Sequence, residues 1–580
     1  MPLKFRFASN LIATKEERDL PTAKLEKWLP GLAVLRSYES KWFRADLVAG
    51  MSVAAVAIPI GLAYAQLAGA SPVVGIYSCI LPPVAYALFG SSRQLIVNPD
   101  SAACLIVAAT VTPLAAGDAL RYADLSLALT LMVGVLCIIA GIARLGFIAN
   151  FLSRPILVGY LNGIALSIIV GQVGKLLGID VAGAGFFRTA GRVISQISQT
   201  HWPTMIVGLS LKYFAPKVPG PLVGAVLSIG LMYILRLDLQ GVKVVGALPA
   251  GFPAPRIPVV GWNDFGGLAA GACSIVLVSF CSMMTTARGF AANNGYPIRP
   301  SQDLVALGVC DLASGFSQGF VVSGADSRTA VADSTGGKTQ VTSVVAAATM
   351  LIVLLFLTAP LAYLPSAALA AILITSAIGL FDISSLRRYY RISKPEFRHS
   401  VIAMLGVMTV GVLPGVLVAV GVSIMKLLMI AAHPHDAVLG VAPGKRGFSN
   451  LAEEPSAGSV SGMIIYRFDA SLVFFNADRF KERVRTVVQE SPQKPEWFVF
   501  DAESVPFMDT TAADALSSLH TEMAKQGIVL VIARSKGFFR LMLERAGLAE
   551  QIGAAHLFPT IEAAVEAYER RGVERGQDAE

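Results

Sequence analysis

The chain has 580 residues, 54% of them hydrophobic and 15% charged, with a formal net charge of +8 and a mean hydropathy of +0.63. Soluble domains carry about 25% charged residues, so the composition excludes an ordinary soluble enzyme and points to an integral membrane protein. The six cysteines (Cys79, Cys104, Cys137, Cys273, Cys281, Cys310) sit in apolar surroundings with no C-x-x-C pair. That argues against a disulfide framework or a metal site. The histidines are scattered, no cofactor motif appears, and the basic excess is spread along loops, which argues against nucleic acid as a partner.

Residues 1–46 hold nine Lys/Arg and six Asp/Glu and lack a short apolar segment with a small-residue cleavage site. The expectation is a cytosolic N-terminal segment with no signal peptide. Fourteen apolar runs follow between 47 and 432, near 47–67, 72–89, 98–114, 125–143, 155–176, 203–215, 221–236, 265–286, 303–317, 326–335, 340–359, 367–381, 399–414 and 416–432. A spanning helix needs about 20 apolar residues, so several of these are too short to cross alone. Fourteen spans return the C-terminus to the cytosol, and the arginine-rich loop 382–398 falls on the cytoplasmic side.

The runs at 98 and 326 are the shortest informative ones. Each follows a few β-prone residues, Leu95-Ile96-Val97 and Phe320-Val321-Val322, and each places an Asp-Ser pair two residues after a breaker, Asn98 or Gly324. The pattern predicts a short strand leading into a half-helix, tolerated at membrane depth only inside protein or along a cavity. Paired interrupted segments of this kind mark transporter substrate sites. With seven spans per half, the second half is inverted and the two half-helix N-termini face each other. Such termini hold unpartnered N–H groups and about half a positive charge each, which suits an anion.

Arg328 adds a full charge and a planar fork of donors, and Ser101 and Ser327 add hydroxyls. The alternative for Arg328 is a buried pair with Asp326 that pins two helices. Asp100 and Asp326 either cap their half-helices or carry a proton that couples to anion movement. Gly336-Gly337-Lys338 lacks the spacing of a phosphate loop and reads as a turn.

After Ala432 the residues 433–462 read as a Gly/Pro/Ser-rich linker. Strand-like stretches then appear at 463–468, 472–477, 497–502 and 528–533, with helix-like stretches at 478–490, 510–526, 538–547 and 559–571. This predicts a small α/β domain over 463–572, with a tail at 573–580.

The motifs SVAAVAIPIGLAYAQLAGASPVVGIYS (52–78), YALFGSSRQLIVNPDSAA (86–103) and GADSRTAVADSTGGKTQ (324–340) resemble the sulfate permease family of anion transporters, to which prestin belongs. The C-terminal module resembles a STAS domain, the fold of anti-sigma-factor antagonists. The resemblance implies a transmembrane domain over 47–432 built as two inverted repeats of seven spans, with core and gate domains. It further implies an elevator-like motion, a homodimer and an anion held between the third and tenth segments.

On that pattern Tyr64, Pro99, Ser101, Ala325, Ser327 and Arg328 are the anion-site positions. Departures are Asn98 before Pro99, Ile60 where many members have Gln, and Ser282 where proton-coupled members have Glu. The last shifts attention to Asp100 and Asp326. Asp509, Thr510 and Thr511 match the phosphorylated loop of the antagonists, though Asp509 also reads as an N-cap. The function these features imply is secondary transport of a small anion, sulfate first, by proton symport or anion exchange across the cytoplasmic membrane. Bicarbonate or dicarboxylate transport is the alternative, and a membrane-anchored STAS receptor with a cytosolic protein partner is the reading from another class.

Overall fold

The computed structural model describes residues 29–150, 153–179, 185–205, 220–236, 242–444, 447–454 and 456–577. Most of the apolar run 203–215, and the tail beyond 577, lie outside these residues. The chain divides into two compact units, Met1–Ser423 and Ile424–Glu580, and each is described by itself.

The first unit is helical. Its amino-terminal part contains α1 (Phe43–Leu67), α2 (Pro72–Tyr77), α3 (Leu81–Phe89), α4 (Ser101–Ala115) and α5 (Ala119–Ile142). Next come α6 (Arg154–Leu177), α7 (Phe186–Ser195) and α8 (Gly220–Leu235). The remainder is α9 (Phe265–Asn294), α10 (Pro300–Phe316), α11 (Asp326–Ser334), α12 (Val341–Phe356), α13 (Ser366–Leu380), α14 (Ile383–Ile392), α15 (Lys394–Val410) and α16 (Val412–Ala432).

Local chemistry sets many of these boundaries. Proline stands in the first turn of α2, α6, α10 and α15, where its missing N–H costs nothing. Gly178 and Gly295 close α6 and α9 in the left-handed region. Among the described residues six helical segments are long and apolar enough to cross a membrane, and four more apolar helices are shorter.

Glycines set the closest helix approaches. A Cβ on Gly75 of α2 would lie 1.9 Å from the Gly61 carbonyl oxygen of α1, and one on Gly308 of α10 would lie 2.5 Å from the Gly134 oxygen of α5. Small residues let backbones touch where lipid supplies no hydrophobic drive.

Two strands interrupt the helices. β1 (Val97–Asn98) pairs antiparallel with β2 (Ser323–Gly324), with Val97 opposite Gly324 and Asn98 opposite Ser323. The chain leaves β1 into α4 and β2 into α11. At 1.5 Å per residue the nine residues of α11 span about 14 Å, against a hydrocarbon core of about 30 Å. α11 is therefore a half-helix, as the sequence predicts. A Cβ on Gly324 would press within 3.0 Å of Met283 on α9, which explains the glycine in β2. The Gly336-Gly337-Lys338 stretch is a turn, and its Lys338 N–H donates to Asp46 at 2.6 Å.

The second unit carries a six-stranded sheet ordered β4-β3-β5-β6-β7-β8. Its strands are β3 (Asp436–Val441), β4 (Phe448–Asn450), β5 (Met463–Phe468), β6 (Trp497–Asp501), β7 (Val529–Ala533) and β8 (Leu557–Phe558). Strands β5 to β8 run parallel, and β3 is antiparallel to both its neighbours. Alternate residues face opposite sides. Ile464, Tyr466, Phe498, Phe500, Leu530 and Ile532 pack under α17 (Ala477–Glu490), α18 (Thr510–Lys525) and α19 (Gly537–Arg545). Met463, Ile465, Trp497, Val499 and Val531 pack with Ile561 and Ala564 of the last helix, Ile561–Gln577.

Two sequence expectations are corrected here. The stretch read as linker supplies β3 and β4, an antiparallel extension of the sheet. Residues 472–477 are not a strand: Leu472 makes a single bridge to Met508, 474–476 are a turn, and Ala477 already begins α17. There the Asn476 side chain accepts from the Val473 N–H at 2.9 Å, and Phe474 is exposed, so a local Asx bond outcompetes strand pairing.

Candidate functional site

The β1–β2 pair brings the starts of α4 and α11 together. The Ala325 N–H donates to the Ile96 carbonyl at 2.9 Å, and the Ile96 N–H donates to Thr329 Oγ1 at 3.0 Å. The start of α11 is thus stitched through Ile96 to the chain that leads into β1 and α4. Asp100 caps α4 by accepting from the Ala102 N–H at 3.1 Å. Asp326 is not a cap: it is the first residue of α11, where Ala325 takes the N-cap position without a side-chain bond. The Asp326 carboxylate instead accepts from the Thr286 hydroxyl of α9. The first-turn N–H groups of α11 therefore have no side chain capping them.

Arg328 is buried, at 2% exposure. One of its terminal nitrogens donates to the Pro99 carbonyl on the opposite arm, and its guanidinium carbon lies 5.5 Å from the centre of the Tyr64 ring. That distance is a cation–π contact. Arg328 Nε and Nη1 have no hydrogen-bond partner, and neither do the buried Ser101 Oγ and Asn98 Oδ1. Among the described residues Arg328 forms no ion pair with Asp326, so the pinning alternative is not what the geometry holds. A buried donor left unpaired costs about 1–3 kcal/mol, more when charged. An unpartnered cationic fork, a hydroxyl and an uncapped helix start are groups complementary to an oxyanion.

The structure brings Tyr64, Pro99, Ser101, Ala325 and Arg328 together around the strand pair. Ser327, one residue from Arg328, and Asp326 are exposed. Ser282 sits on α9 one turn before Thr286, whose hydroxyl lies 3.2 Å from the Ser282 carbonyl oxygen. Sequence reading missed Thr286 and Thr329, because a threonine on an apolar helix or in a half-helix gives no signal until the chain is folded. It also missed Asp46. That carboxylate, 0% exposed, accepts from Lys338 N–H at 2.6 Å, Thr339 N–H at 3.1 Å, Thr339 Oγ1 at 2.7 Å, Thr342 Oγ1 at 3.1 Å and Tyr38 O–H at 3.2 Å. It ties the start of α1, which carries Tyr64, to the turn that follows α11.

In the α/β unit Asp509 caps α18, accepting from the Ala512 N–H at 2.8 Å. Its other oxygen accepts from the Phe474 N–H at 2.8 Å. Thr510 and Thr511 are exposed beside it. Among the described residues no group of three or more His, Cys, Asp or Glu could hold a metal ion.

These features define a helical membrane transporter fold followed by a small α/β module. The sulfate permease family model matches residues 43–405, and the STAS domain model matches residues 454–564. A probable sulfate transporter of Mycobacterium tuberculosis is 42% identical over 559 residues, covering 95% of this chain and 100% of that protein. High affinity sulfate transporter 1 of Stylosanthes hamata is 30% identical, covering 92% of this chain and 85% of that one. Murine Solute Carrier 26 family member A9, an anion transporter solved in its inward-facing state, superposes with a TM-score of 0.86 at 22% identity, covering 98% and 96% of the two chains. The chain belongs to the sulfate permease family and carries a C-terminal STAS domain.

Proposed function

We propose that the chain is a secondary active transporter of sulfate, with the anion bound where α4 and α11 begin. The observation that carries this is the buried Arg328 fork, whose third nitrogen holds the Pro99 carbonyl while its other two, like the nearby Ser101 hydroxyl, have no partner. The electrostatic sum supports a divalent anion. Two helix starts supply about +0.5 each and the guanidinium +1, close to +2 when Asp100 and Asp326 are both protonated. Relatives that share 42% and 30% identity over nearly the whole chain are named for sulfate.

The same reading has fourteen spans in two inverted repeats of seven, with a core domain that carries the site past a gate domain in an elevator-like step. It has a homodimer in the cytoplasmic membrane with both termini in the cytosol. Asp100 and Asp326 then supply coupling. A carboxylate 4 Å from a bound anion repels it by about 4 kcal/mol per unit charge at an effective dielectric of 20. A proton taken up with the anion removes that repulsion, so the two move together. Asp509, Thr510 and Thr511 form a surface where phosphorylation or a cytosolic partner would act on the STAS domain.

Reconstitution into liposomes tests the reading. Radiolabelled sulfate uptake should follow an imposed inward proton gradient or exchange against internal sulfate. Uptake of labelled bicarbonate or succinate, with sulfate neither carried nor competing, would replace sulfate as the substrate.

A further inference from the structure

Helix α14 has a composition that anion transport does not use. It is a ten-residue helix wedged between two apolar helices, α13 and α15, and entered and left by side-chain caps. Asp382 accepts from the Ser385 N–H at 2.9 Å and the Ser384 hydroxyl at 2.7 Å, and Ser393 accepts from the Glu396 N–H at 3.4 Å. Tyr389 is buried against the protein. At 100° per residue, Ser384, Arg387, Arg388 and Arg391 fall on the opposite face. There, with Ile392, they line an open concavity of about 520 Å³.

None of the three guanidinium groups makes an ion pair or hydrogen bond with another described residue; of the two acids nearest in sequence, Asp382 is committed to capping and Glu396 lies in the first turn of α15. Beside the arginine stripe, Ile383 and Tyr390 are 47% and 56% exposed. Buried tyrosine on one side, a basic stripe on the other and an apolar flank between them leave three surroundings for one short helix: protein, headgroup and acyl chain.

We infer that Arg387, Arg388 and Arg391 form a binding site for the phosphate of an anionic phospholipid headgroup. Placement decides for lipid over a soluble partner. On the proposed topology, in which α13 and α15 cross the membrane, the helix that joins them lies at the bilayer surface, where Ile383 and Tyr390 enter the boundary region as aromatic and apolar anchors do. Three forks within two turns suit one phosphodiester oxygen pair with its neighbours, since guanidinium groups bind phosphate through paired N–H donors.

The test is native mass spectrometry of the full-length chain in detergent with added phosphatidylglycerol or phosphatidylcholine, and with glycerol 3-phosphate as a soluble phosphate. Phosphatidylglycerol should be retained over phosphatidylcholine, and millimolar glycerol 3-phosphate should not displace it. Each basic residue near an anionic surface contributes about a fivefold factor, so the combined Arg387→Gln, Arg388→Gln and Arg391→Gln variant should lose at least tenfold of the preference. Lys394 and Arg398 remain in that variant to keep the loop basic. If it fails to insert, the single Arg388→Gln variant and the triple Lys variant decide the matter: the first should weaken retention and the second keep most of it. Equal retention of both lipids by the wild type, unchanged retention in the Gln variants, or displacement by glycerol 3-phosphate would overturn the inference.

Discussion

The guanidinium of Arg328 is buried with two nitrogens that have no hydrogen-bond partner. A charged hydrogen bond contributes about 1.5–3 kcal/mol, so Arg328→Ala should weaken sulfate binding by at least a hundredfold and abolish uptake in liposomes. Lys should restore only part, because a point charge replaces a planar fork. Wild-type uptake by the Ala variant would show that the site lies elsewhere. The two carboxylates make a second residue-scale prediction. Asp100→Asn keeps the capping oxygen that the Ala102 N–H needs, and Asp326→Asn keeps an oxygen for the Thr286 hydroxyl. Both remove the charge. One of them should flatten the pH dependence of uptake and leave sulfate exchange intact, and a double variant with the wild-type pH profile would end the coupling role. Arg328 and Ser101 were legible in the sequence because charge and breakers stand out within apolar runs. Thr286 was not, since it meets Asp326 only after a forty-residue detour.

At the scale of elements, the site depends on how closely α1 can approach α2. Gly61 and Gly75 meet backbone to backbone, and Tyr64 follows Gly61 by less than one turn. Gly75→Ala puts a methyl 1.9 Å from a carbonyl oxygen, which only separation of the helices relieves. Overpacking of this kind costs about 1–3 kcal/mol. The variant should therefore melt several degrees lower in detergent and bind sulfate more weakly through a displaced Tyr64. An unchanged melting temperature and affinity would mean that the crossing is looser than the structure has it. Sequence reading found the half-helices because Asn98-Pro99 and Ser323-Gly324 break apolar runs in the same way. It misplaced elements of the α/β unit for the converse reason. β3 and β4 are short and sit among Gly and Pro, and the aromatic run 472–477 looks like a strand although its centre, 474–476, is a turn that leads into α17.

For the whole molecule, the proposed anion ligands all lie within residues 64–328, so binding should survive removal of the STAS domain. The sheet dictates where to cut. A truncation at 451 leaves β3 and β4 with unpaired edges, because β3 bonds to β5 through Leu439 and Ile465. Ending the chain at Ala432 avoids that hazard. Isothermal titration of the shortened protein should give a sulfate affinity within about threefold of the full chain, with transport rate free to fall. Loss of binding by a well-folded truncation would mean that the STAS domain contributes to the site.

The antiparallel pairing of Val97 with Gly324 and Asn98 with Ser323 defines a local two-fold axis. Rotation about it carries Asn98 onto Gly324, Pro99 onto Ala325, Asp100 onto Asp326, Ser101 onto Ser327 and Ala102 onto Arg328. The strand pairing at the site is therefore two-fold, but the side chains it leads to are not: Asp100 caps α4 while Asp326 holds Thr286, Ser101 is buried while Ser327 is exposed, and only one arm carries an arginine. An anion bound as proposed would rest off the axis, towards the arm that holds the arginine. The opposite arm offers it only neutral donors. A symmetric strand pairing thereby acquires a direction from its side chains, with the single arginine as the only charge of its sign among the paired positions.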